Sequence, residues 1–201
     1  MLTIGITGGT GCGKTAFLRC IEARGGVGID CDALYYDLLR TDGALRAALT
    51  ESFGAVFRPD GSLDRKHLGT AVFSDPAQME KLNRIVFTHV RRAVETIRAR
   101  EKSAGTALLA IDAINLFQSG LAELCGTTVG VLAPEEVRLR RIMRRDGIER
   151  QYALLRIRAQ EPDGFYTARC AHILQNGEIS PEEFQIQANA LLENLIKENA
   201  T

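Results

Sequence analysis

The feature that most limits the fold of this chain is the segment GGTGCGKT at residues 8–15, which matches the pattern G-x-x-x-x-G-K-[ST]. The apolar residues 2–6 before it predict a short strand, and residues 16–24 after it predict a helix with one apolar face. In a strand–turn–helix arrangement, backbone N–H groups and the helix N-terminus surround an anion. A phosphate-binding loop is therefore predicted, and a plain strand-to-helix turn is the alternative.

The two residues that end this motif have side chains suited to a nucleoside triphosphate. Lys14 can reach the terminal phosphates, and the hydroxyl of Thr15 can bind Mg²⁺. ATP and Mg²⁺ are the ligands that the motif predicts.

Composition narrows the class of protein further. The 25 Lys and Arg residues balance the 25 Asp and Glu residues among 201, which gives no general attraction to nucleic acid or to membranes. Five cysteines without C-x-x-C spacing predict reduced thiols in a cytoplasmic protein, and no leader or membrane-length apolar segment is expected. The three histidines are scattered, which argues against a histidine metal cluster, and the oligomeric state stays open.

Apolar strands alternate with helices along the chain. Further strands are predicted at 27–29, 106–111, 127–132 and 171–174, and the long helices at about 76–101, 148–160 and from 181 onward. This alternation predicts one α/β domain over 1–201 with a doubly wound parallel sheet, in which ligands bind at the carboxyl ends of the strands. Residues 36–101 contain helices without a convincing strand and are predicted to be a helical insertion for a second substrate.

Three aspartates follow predicted strands and are candidates for chemistry. Asp30 and Asp32 come after the strand at 27–29, where alternation would put them on the same side. Such carboxylates can order Mg²⁺ and its waters or accept a proton from an attacking hydroxyl, although a helix cap or turn is the alternative. A functional role is favoured for Asp32, while Asp30 can equally serve the turn or the metal, and Asp112 can serve the metal or a cap.

Arginines dominate residues 138–158, which contain eight arginines and only two acids. Arg141 and Arg145 are four residues apart on the predicted helix and would repel each other unless an anion lay between them. Guanidinium groups bind phosphate through two parallel hydrogen bonds. The segment 138–165 is therefore predicted to be a mobile lid over the triphosphate, with a solvated basic face as the alternative.

These motifs, taken together, resemble the dephospho-coenzyme A kinase family over nearly the whole chain. The stretches that carry the resemblance are 5–15, 29–32, 53–54, 60–65, Leu68, 72–73, Arg141, 145–146, Arg156, 159–160 and 176–177. The resemblance implies a P-loop nucleotide core with a helical coenzyme A domain and a lid. It also implies transfer of the ATP γ-phosphate to the ribose 3′-hydroxyl of dephospho-coenzyme A.

The resemblance assigns roles to individual residues. The residues that it implies for the ATP phosphates are Gly11, Cys12, Gly13, Lys14, Thr15 and Ala16. Asp32 is implied as base and substrate contact, with Arg65 on the substrate side. Arg141 is implied as the lid arginine that acts with Lys14 on the transferred phosphate, with Arg145 also toward ATP. Asn176 is implied beside adenine.

The sequence departs from the family pattern at three places. Gln118 and Ala171 stand where the family has acids, and Phe87-Thr88 replace a His-Pro pair. These changes leave two alternatives open: a nucleotide-binding regulator that has lost catalysis, and a kinase for another nucleoside or nucleotide. A guanine-reading N-K-x-D segment is absent from the sequence, which disfavours a G-protein switch.

Overall fold

A five-stranded sheet forms the centre of the molecule in the computed structural model, which describes residues 1–73 and 75–199. The strands are β1 (Leu2–Thr7), β2 (Val27–Asp30), β3 (Leu108–Asp112), β4 (Thr127–Leu132) and β5 (His172–Gln175), in the spatial order β2-β3-β1-β4-β5. β1 pairs in parallel with β3 and β4, and β4 pairs in parallel with β5. All residues of β1 and β3 are buried, as expected for strands covered on both faces. The predicted doubly wound parallel sheet is confirmed.

Nine α-helices lie in the described part of the chain. They are α1 (Lys14–Glu22), α2 (Cys31–Thr41), α3 (Gly43–Phe53), α4 (Arg65–Phe73), α5 (Pro76–Ser103), α6 (Glu135–Asp146), α7 (Arg150–Arg158), α8 (Asp163–Arg169) and α9 (Pro181–Asn199). The sequence predicted neither α4 nor α8. Both are short, and α8 has seven residues, too few for a helical apolar period to be recognised.

The chain divides into two compact units. One, called here the core unit, comprises residues 1–29 and 101–201, and the other, the helical unit, comprises residues 30–100. The helical unit begins earlier than the insertion predicted at about 36–101, because Asp30 caps α2 directly where β2 ends. Each unit has its own apolar core: Ile4, Phe17 and Val129 are buried in the first, and Leu45 and Leu49 in the second.

The buried face of the last helix, α9, differs from the predicted one at a single position. Phe184, Ala188 and Leu195 are buried as predicted, but Leu192 is fully buried and Leu191 only partly.

Among the described residues, none of the helices has the length and apolar composition that a membrane crossing needs.

Candidate active site

The phosphate loop lies between β1 and α1 and has the backbone conformation that its glycines predict. Gly13 has a φ of +102°, and a Cβ on it would lie 2.1 Å from Nδ2 of Asn176, so no other residue fits there. Lys14 lies across the loop and donates to the carbonyl of Gly8 at 2.9 Å. Thr15 and Ala16 are exposed in the first turn of α1, where helix N–H groups attract anions.

A buried arginine holds the loop from outside. Arg138 of α6 has a side chain that is only 6% exposed, and its Nε donates to the carbonyl of Thr10 at 3.0 Å. Oε1 of Gln160 accepts from Nη2 of Arg138 at 3.0 Å and from the N–H of Thr10 at 2.8 Å. Both backbone polar groups of Thr10, its N–H and its carbonyl, are therefore fixed by side chains from more than a hundred residues away. Sequence analysis grouped Arg138 with the lid arginines and gave Gln160 no separate role.

Arg141, Asn176 and Gly11 come together on the other side of the loop. Arg141 donates to the carbonyls of Gly11 and Asn176, both at 3.2 Å, and to Oδ1 of Asn176 at 3.0 Å. Asn176 is buried and donates through Nδ2 to the carbonyl of Cys12 at 2.8 Å. Burial lowers the pKa of Arg141, and the positive charges of Arg144 and Arg140 lower it further. A cavity of about 590 Å³ beside Arg141 is lined by these arginines and by residues 177–179.

The thiol of Cys12 lies inside the same loop. Burial raises its pKa, although the charges of Arg138 and Lys14 oppose this in part. The group is therefore a neutral thiol at neutral pH and acts as a small buried side chain.

Several arginines of the predicted lid pair with acids of the chain itself. Arg145 makes two contacts with Asp146, at 2.7 and 3.0 Å, and Arg156 contacts the same carboxylate at 2.7 Å. The hydrogen bonds from Arg145 lower the pKa of Asp146 and raise that of Arg145 itself. Arg140 pairs with Glu178 at 2.6 Å. These pairs relieve the repulsion between neighbouring arginines without a bound anion. That residues 138–165 close as a lid stays a prediction.

Asp30 and Asp32 lie at the N-terminus of helix α2. Oδ1 of Asp30 caps α2 by accepting from the N–H groups of Asp32 and Ala33, at 2.9 and 3.0 Å. The prediction that Asp30 and Asp32 share one side of a strand is wrong, because the strand ends at Asp30 and Asp32 lies in the first helical turn. Asp32 is exposed. The capping alternative considered for Asp30 describes its side chain correctly.

Arg65 is the first residue of α4 and belongs to the helical unit. Its guanidinium lies over the ring of Tyr36, 4.9 Å from the centroid. This stacking orients the charged group without pairing it with an acid.

Oxygen ligands suited to Mg²⁺ occur in the core unit. Asp112 is buried at the carboxyl end of β3, in register with Ile6 and therefore at the edge of the sheet where the phosphate loop begins. In the described ranges, no three His, Cys, Asp or Glu side chains form a metal-binding group. Mg²⁺ in kinases needs only one or two protein oxygens, because phosphates and water complete its shell. The hydroxyl of Thr15 and a nearby carboxylate fit that requirement.

The amide at position 118 has an acid as its neighbour. Nε2 of Gln118 donates to Oε1 of Glu161 at 3.2 Å. A carboxylate is therefore present beside the position at which this chain departs from the family pattern.

Comparison with known proteins agrees with this architecture. The family model described as dephospho-CoA kinase matches residues 2–181. A dephospho-CoA kinase of Anaeromyxobacter dehalogenans is 38% identical over 97% of this chain and 92% of its own length. The crystal structure of TT1252 from Thermus thermophilus has a TM-score of 0.81 and 31% identity, covering 96% of this chain and 97% of that one. A dephospho-CoA kinase from Campylobacter jejuni has the same fold, with a TM-score of 0.70 and 21% identity over 98% of each chain. The chain belongs to the dephospho-CoA kinase family.

Proposed function

We propose that this protein transfers the γ-phosphate of ATP to the ribose 3′-hydroxyl of dephospho-coenzyme A, giving coenzyme A and ADP. The observation that carries the proposal is the family match, which extends over residues 2–181 and so includes both the phosphate loop and Asp32. ATP and dephospho-coenzyme A are thus the proposed small-molecule partners. A cytoplasmic location is supported by the five cysteines, none of which forms a disulfide in the described structure.

The phosphate loop is proposed to bind the ATP phosphates through residues 11–16. The positive N-terminal end of α1 and the ammonium group of Lys14 would offset the charge that develops on the transferred phosphate. Asn176 is proposed to lie on the nucleoside side of ATP, and its hydrogen bond to the carbonyl of Cys12 holds it beside the loop. A contact of Arg141 or Arg145 with the transferred group requires each to exchange its present oxygen partners for phosphate.

Mg²⁺ is proposed to be held by the hydroxyl of Thr15, with a carboxylate nearby. When bound there, Mg²⁺ would reduce the negative charge of the phosphates. Asp30, the metal residue predicted from the sequence, already accepts two backbone hydrogen bonds through Oδ1. Asp112 lies at the phosphate-loop edge of the sheet and is the better supported acid.

Asp32 is proposed as the base. As the 3′-oxygen of the ribose forms its bond to the γ-phosphorus, the bond from that phosphorus to the β–γ bridging oxygen breaks and ADP leaves. The hydroxyl proton passes to the carboxylate of Asp32. Asp32 is exposed in the first turn of α2, so an acceptor can reach it.

The proposal is tested by ADP release measured with dephospho-coenzyme A and, separately, with a set of nucleoside monophosphates. We expect turnover to be much more efficient with dephospho-coenzyme A than with AMP or the other monophosphates. For Asp32→Asn we expect a fall of about 10²–10⁴-fold in kcat because the base is lost. Asp75→Asn is the control, since Asp75 is an aspartate at the start of another helix of the same unit.

Two results would contradict the proposal in different ways. Turnover with another acceptor in preference to dephospho-coenzyme A would remove the substrate assignment. Near-normal kcat in Asp32→Asn would remove Asp32 as the base and leave the substrate assignment intact.

A further inference from the structure

The connection between α7 and α8 contacts two separate parts of the core unit through adjacent side chains. Oε1 of Gln160 accepts from the N–H of Thr10 in the phosphate loop and from Nη2 of Arg138, at 2.8 and 3.0 Å. Glu161, the next residue, accepts from Nε2 of Gln118 at 3.2 Å, and Gln118 lies in the segment that follows β3. The connection is therefore attached both to the phosphate loop and to the segment after β3.

Aromatic rings hold the same two segments together beside this polar contact. The ring of Phe117 meets the ring of Phe165 edge to face, with centroids 6.1 Å apart and 76° between the planes. Phe165 in turn packs against Tyr166 at 5.4 Å and 85°, and Tyr166 is fully buried. Edge-to-face contacts of this kind are favourable for aromatic side chains. The hydrogen bond between Gln118 and Glu161 therefore lies beside two segments that are already packed against each other.

The two side chains of this polar contact are complementary, because one is an amide and the other an acid. An N–H group that donates to a carboxylate makes a stronger hydrogen bond than one that donates to a neutral group. A glutamate at position 118 would bring a second carboxylate close to Glu161, and two carboxylates in such contact repel each other. Gln118 is a position at which this sequence has an amide in place of the acid of the family pattern. The contact with Glu161 gives a physical reason for that amide.

Gln160 is held from both directions along the chain. Its N–H donates to the carbonyl of Ile157 in α7 at 3.2 Å, and the residue after it, Glu161, is bonded to Gln118. A shift of Gln160 by about 1 Å away from the loop would lengthen its two side-chain hydrogen bonds beyond the normal range. The contact that fixes Glu161 therefore also limits how far the amide of Gln160 can move from Thr10.

We infer that the pair of Gln118 and Glu161 positions Gln160 against the phosphate loop, so that Glu161 is a positioning residue for ATP binding. Glu161 acts through Gln160, which holds the backbone of Thr10, and no contact of Glu161 with the nucleotide is required. A loop that is kept in its binding geometry loses less free energy to ordering when the nucleotide binds. The inference rests on the proposed function for the identity of the nucleotide.

The test measures the dissociation constant for ATP with Mg²⁺ by calorimetry, using variants of the full chain. Gln118→Glu brings two carboxylates together and should weaken ATP binding about fivefold to tenfold. The exchange variant Gln118→Glu/Glu161→Gln restores an acid–amide pair with reversed roles, and its affinity should return to within about twofold of the unmodified protein. Glu193→Gln is the matched control and should change nothing, because Glu193 is an exposed glutamate of the same unit that bonds to Arg24.

Turnover and a second variant guard against effects on folding. Gln118→Met removes the donor without adding charge, so it should weaken ATP binding in the same direction but less, and it decides the matter if Gln118→Glu does not fold. In ADP-release assays, the loss in each folded variant should lie in KM for ATP, whereas a smaller fraction of folded protein would lower kcat and leave KM unchanged. Unchanged ATP binding in the folded variants at position 118, or no recovery in the exchange variant, would overturn the inference.

A further variant tests whether the pair acts through Gln160. Gln160→Ala removes the group that accepts from the N–H of Thr10, so adding Gln118→Glu to it should weaken ATP binding no further. An additional loss as large as that caused by Gln118→Glu alone would mean that the added charge acts on ATP directly, and the inference would fail.

Binding of ATP without an acceptor separates this inference from the proposed reaction. If the unmodified protein binds ATP but does not phosphorylate dephospho-coenzyme A, the proposed reaction fails, and the ATP affinities of the variants still decide the inference. Turnover of dephospho-coenzyme A together with equal ATP affinities in all variants would leave the proposed reaction intact and overturn the inference.

Discussion

Two regions of the molecule present positively charged groups: the phosphate loop and a cavity of about 870 Å³ in the helical unit, which is lined by Arg40, Arg46, Arg58 and Arg65. The two are held by different kinds of contact. The loop is fixed by residues distant in sequence: 128 residues separate Arg138 from Thr10, and 164 separate Asn176 from Cys12. Arg46 in the cavity is held by carbonyls only 7 and 15 residues away. The loop therefore depends on the fold of the whole core unit, whereas the cavity depends on the local structure of the helical unit.

This difference corresponds to a difference in chemical demand. Phosphoryl transfer is sensitive to small displacements of the reacting groups, so the phosphate loop benefits from buried, long-range support. Recognition of a flexible arm, such as the pantetheine arm of dephospho-coenzyme A, tolerates small adjustments and can use exposed side chains on short segments. Because the family resemblance implies that the helical unit binds the acceptor, changes in the cavity should reduce turnover only for acceptors that have this arm, whereas changes in the loop should reduce it with every acceptor.

The largest effect is expected for Lys14→Ala. Loss of the ammonium group removes charge stabilisation that is needed in the transition state, so kcat should fall about a thousandfold or more. The measurement is ADP release at saturating ATP, with dephospho-coenzyme A and with AMP.

The comparison predicts that Lys14→Ala reduces both activities by the same factor. Lys66→Ala, at an exposed lysine of the helical unit, is the control and should leave both rates unchanged. A loss confined to dephospho-coenzyme A would show that Lys14 recognises the acceptor instead of the ATP phosphates.

A smaller effect is expected for Arg138→Met, which removes one of the two side chains that hold Thr10. Methionine keeps much of the length of the side chain but donates no hydrogen bond to the carbonyl of Thr10. A loosened loop should reduce kcat/KM for ATP about tenfold to a hundredfold.

Arg150→Met is the matched control, because Arg150 lies in the same arginine-rich segment and, among the residues that the structure describes, forms an ion pair only with Glu136 at the surface. Arg138→Lys should restore part of the loss, since lysine can still donate to the carbonyl of Thr10. An unchanged kcat/KM for ATP in a folded Arg138→Met protein would mean that the loop keeps its geometry without this contact.

Local sequence signals predicted the phosphate loop because a single uninterrupted motif contains the glycines that its positive φ angles require. The start of α5 was predicted for the same reason, since Asp75 caps it from the adjacent position. The strand at 127–132 was predicted with the right bounds from a continuous apolar run. In each case the physical cause lies within a few residues of its effect.

The parts that could not be predicted depend on long-range packing. Nothing near Arg138 in the sequence distinguishes it from Arg141. In the structure, however, Arg138 is buried against Thr10, whereas Arg141 lies beside Asn176. The burial of Leu192 depends on where α9 packs against the core unit. Asp32 was wrongly predicted to lie on the same side as Asp30, because strand alternation was continued past the residue that caps the next helix.

The smallest expected effect concerns a carboxylate that stabilises the helical unit without belonging to the cavity. Asp42 caps α3 through Ala44 and Leu45, and it also accepts from Nδ1 of His89 at 2.8 Å and from Arg92 at 3.0 Å. Burial alone would raise the pKa of Asp42, but the hydrogen bonds from His89 and the backbone together lower it. A carboxylate with a lowered pKa stabilises the folded state above the pKa of the unfolded chain, near 4, and this contribution is lost as pH falls through the folded pKa.

Asp42→Asn should therefore lower the free energy of unfolding by about 1 kcal/mol at pH 6, because the amide still caps the helix but the charged hydrogen bonds weaken. Urea unfolding followed by circular dichroism between pH 3 and pH 6 measures this difference in the free energy of unfolding, which should shrink toward pH 3.

Asp75→Asn is the control, since Asp75 caps a helix but pairs with no cation in the described ranges. A difference between Asp42→Asn and the unmodified protein that is constant from pH 3 to pH 6 would show that the cap alone, and not the charge shared with His89 and Arg92, accounts for the stabilisation. If kcat/KM with dephospho-coenzyme A stays unchanged in Asp42→Asn, the stability of the helical unit and its acceptor recognition depend on separate side chains.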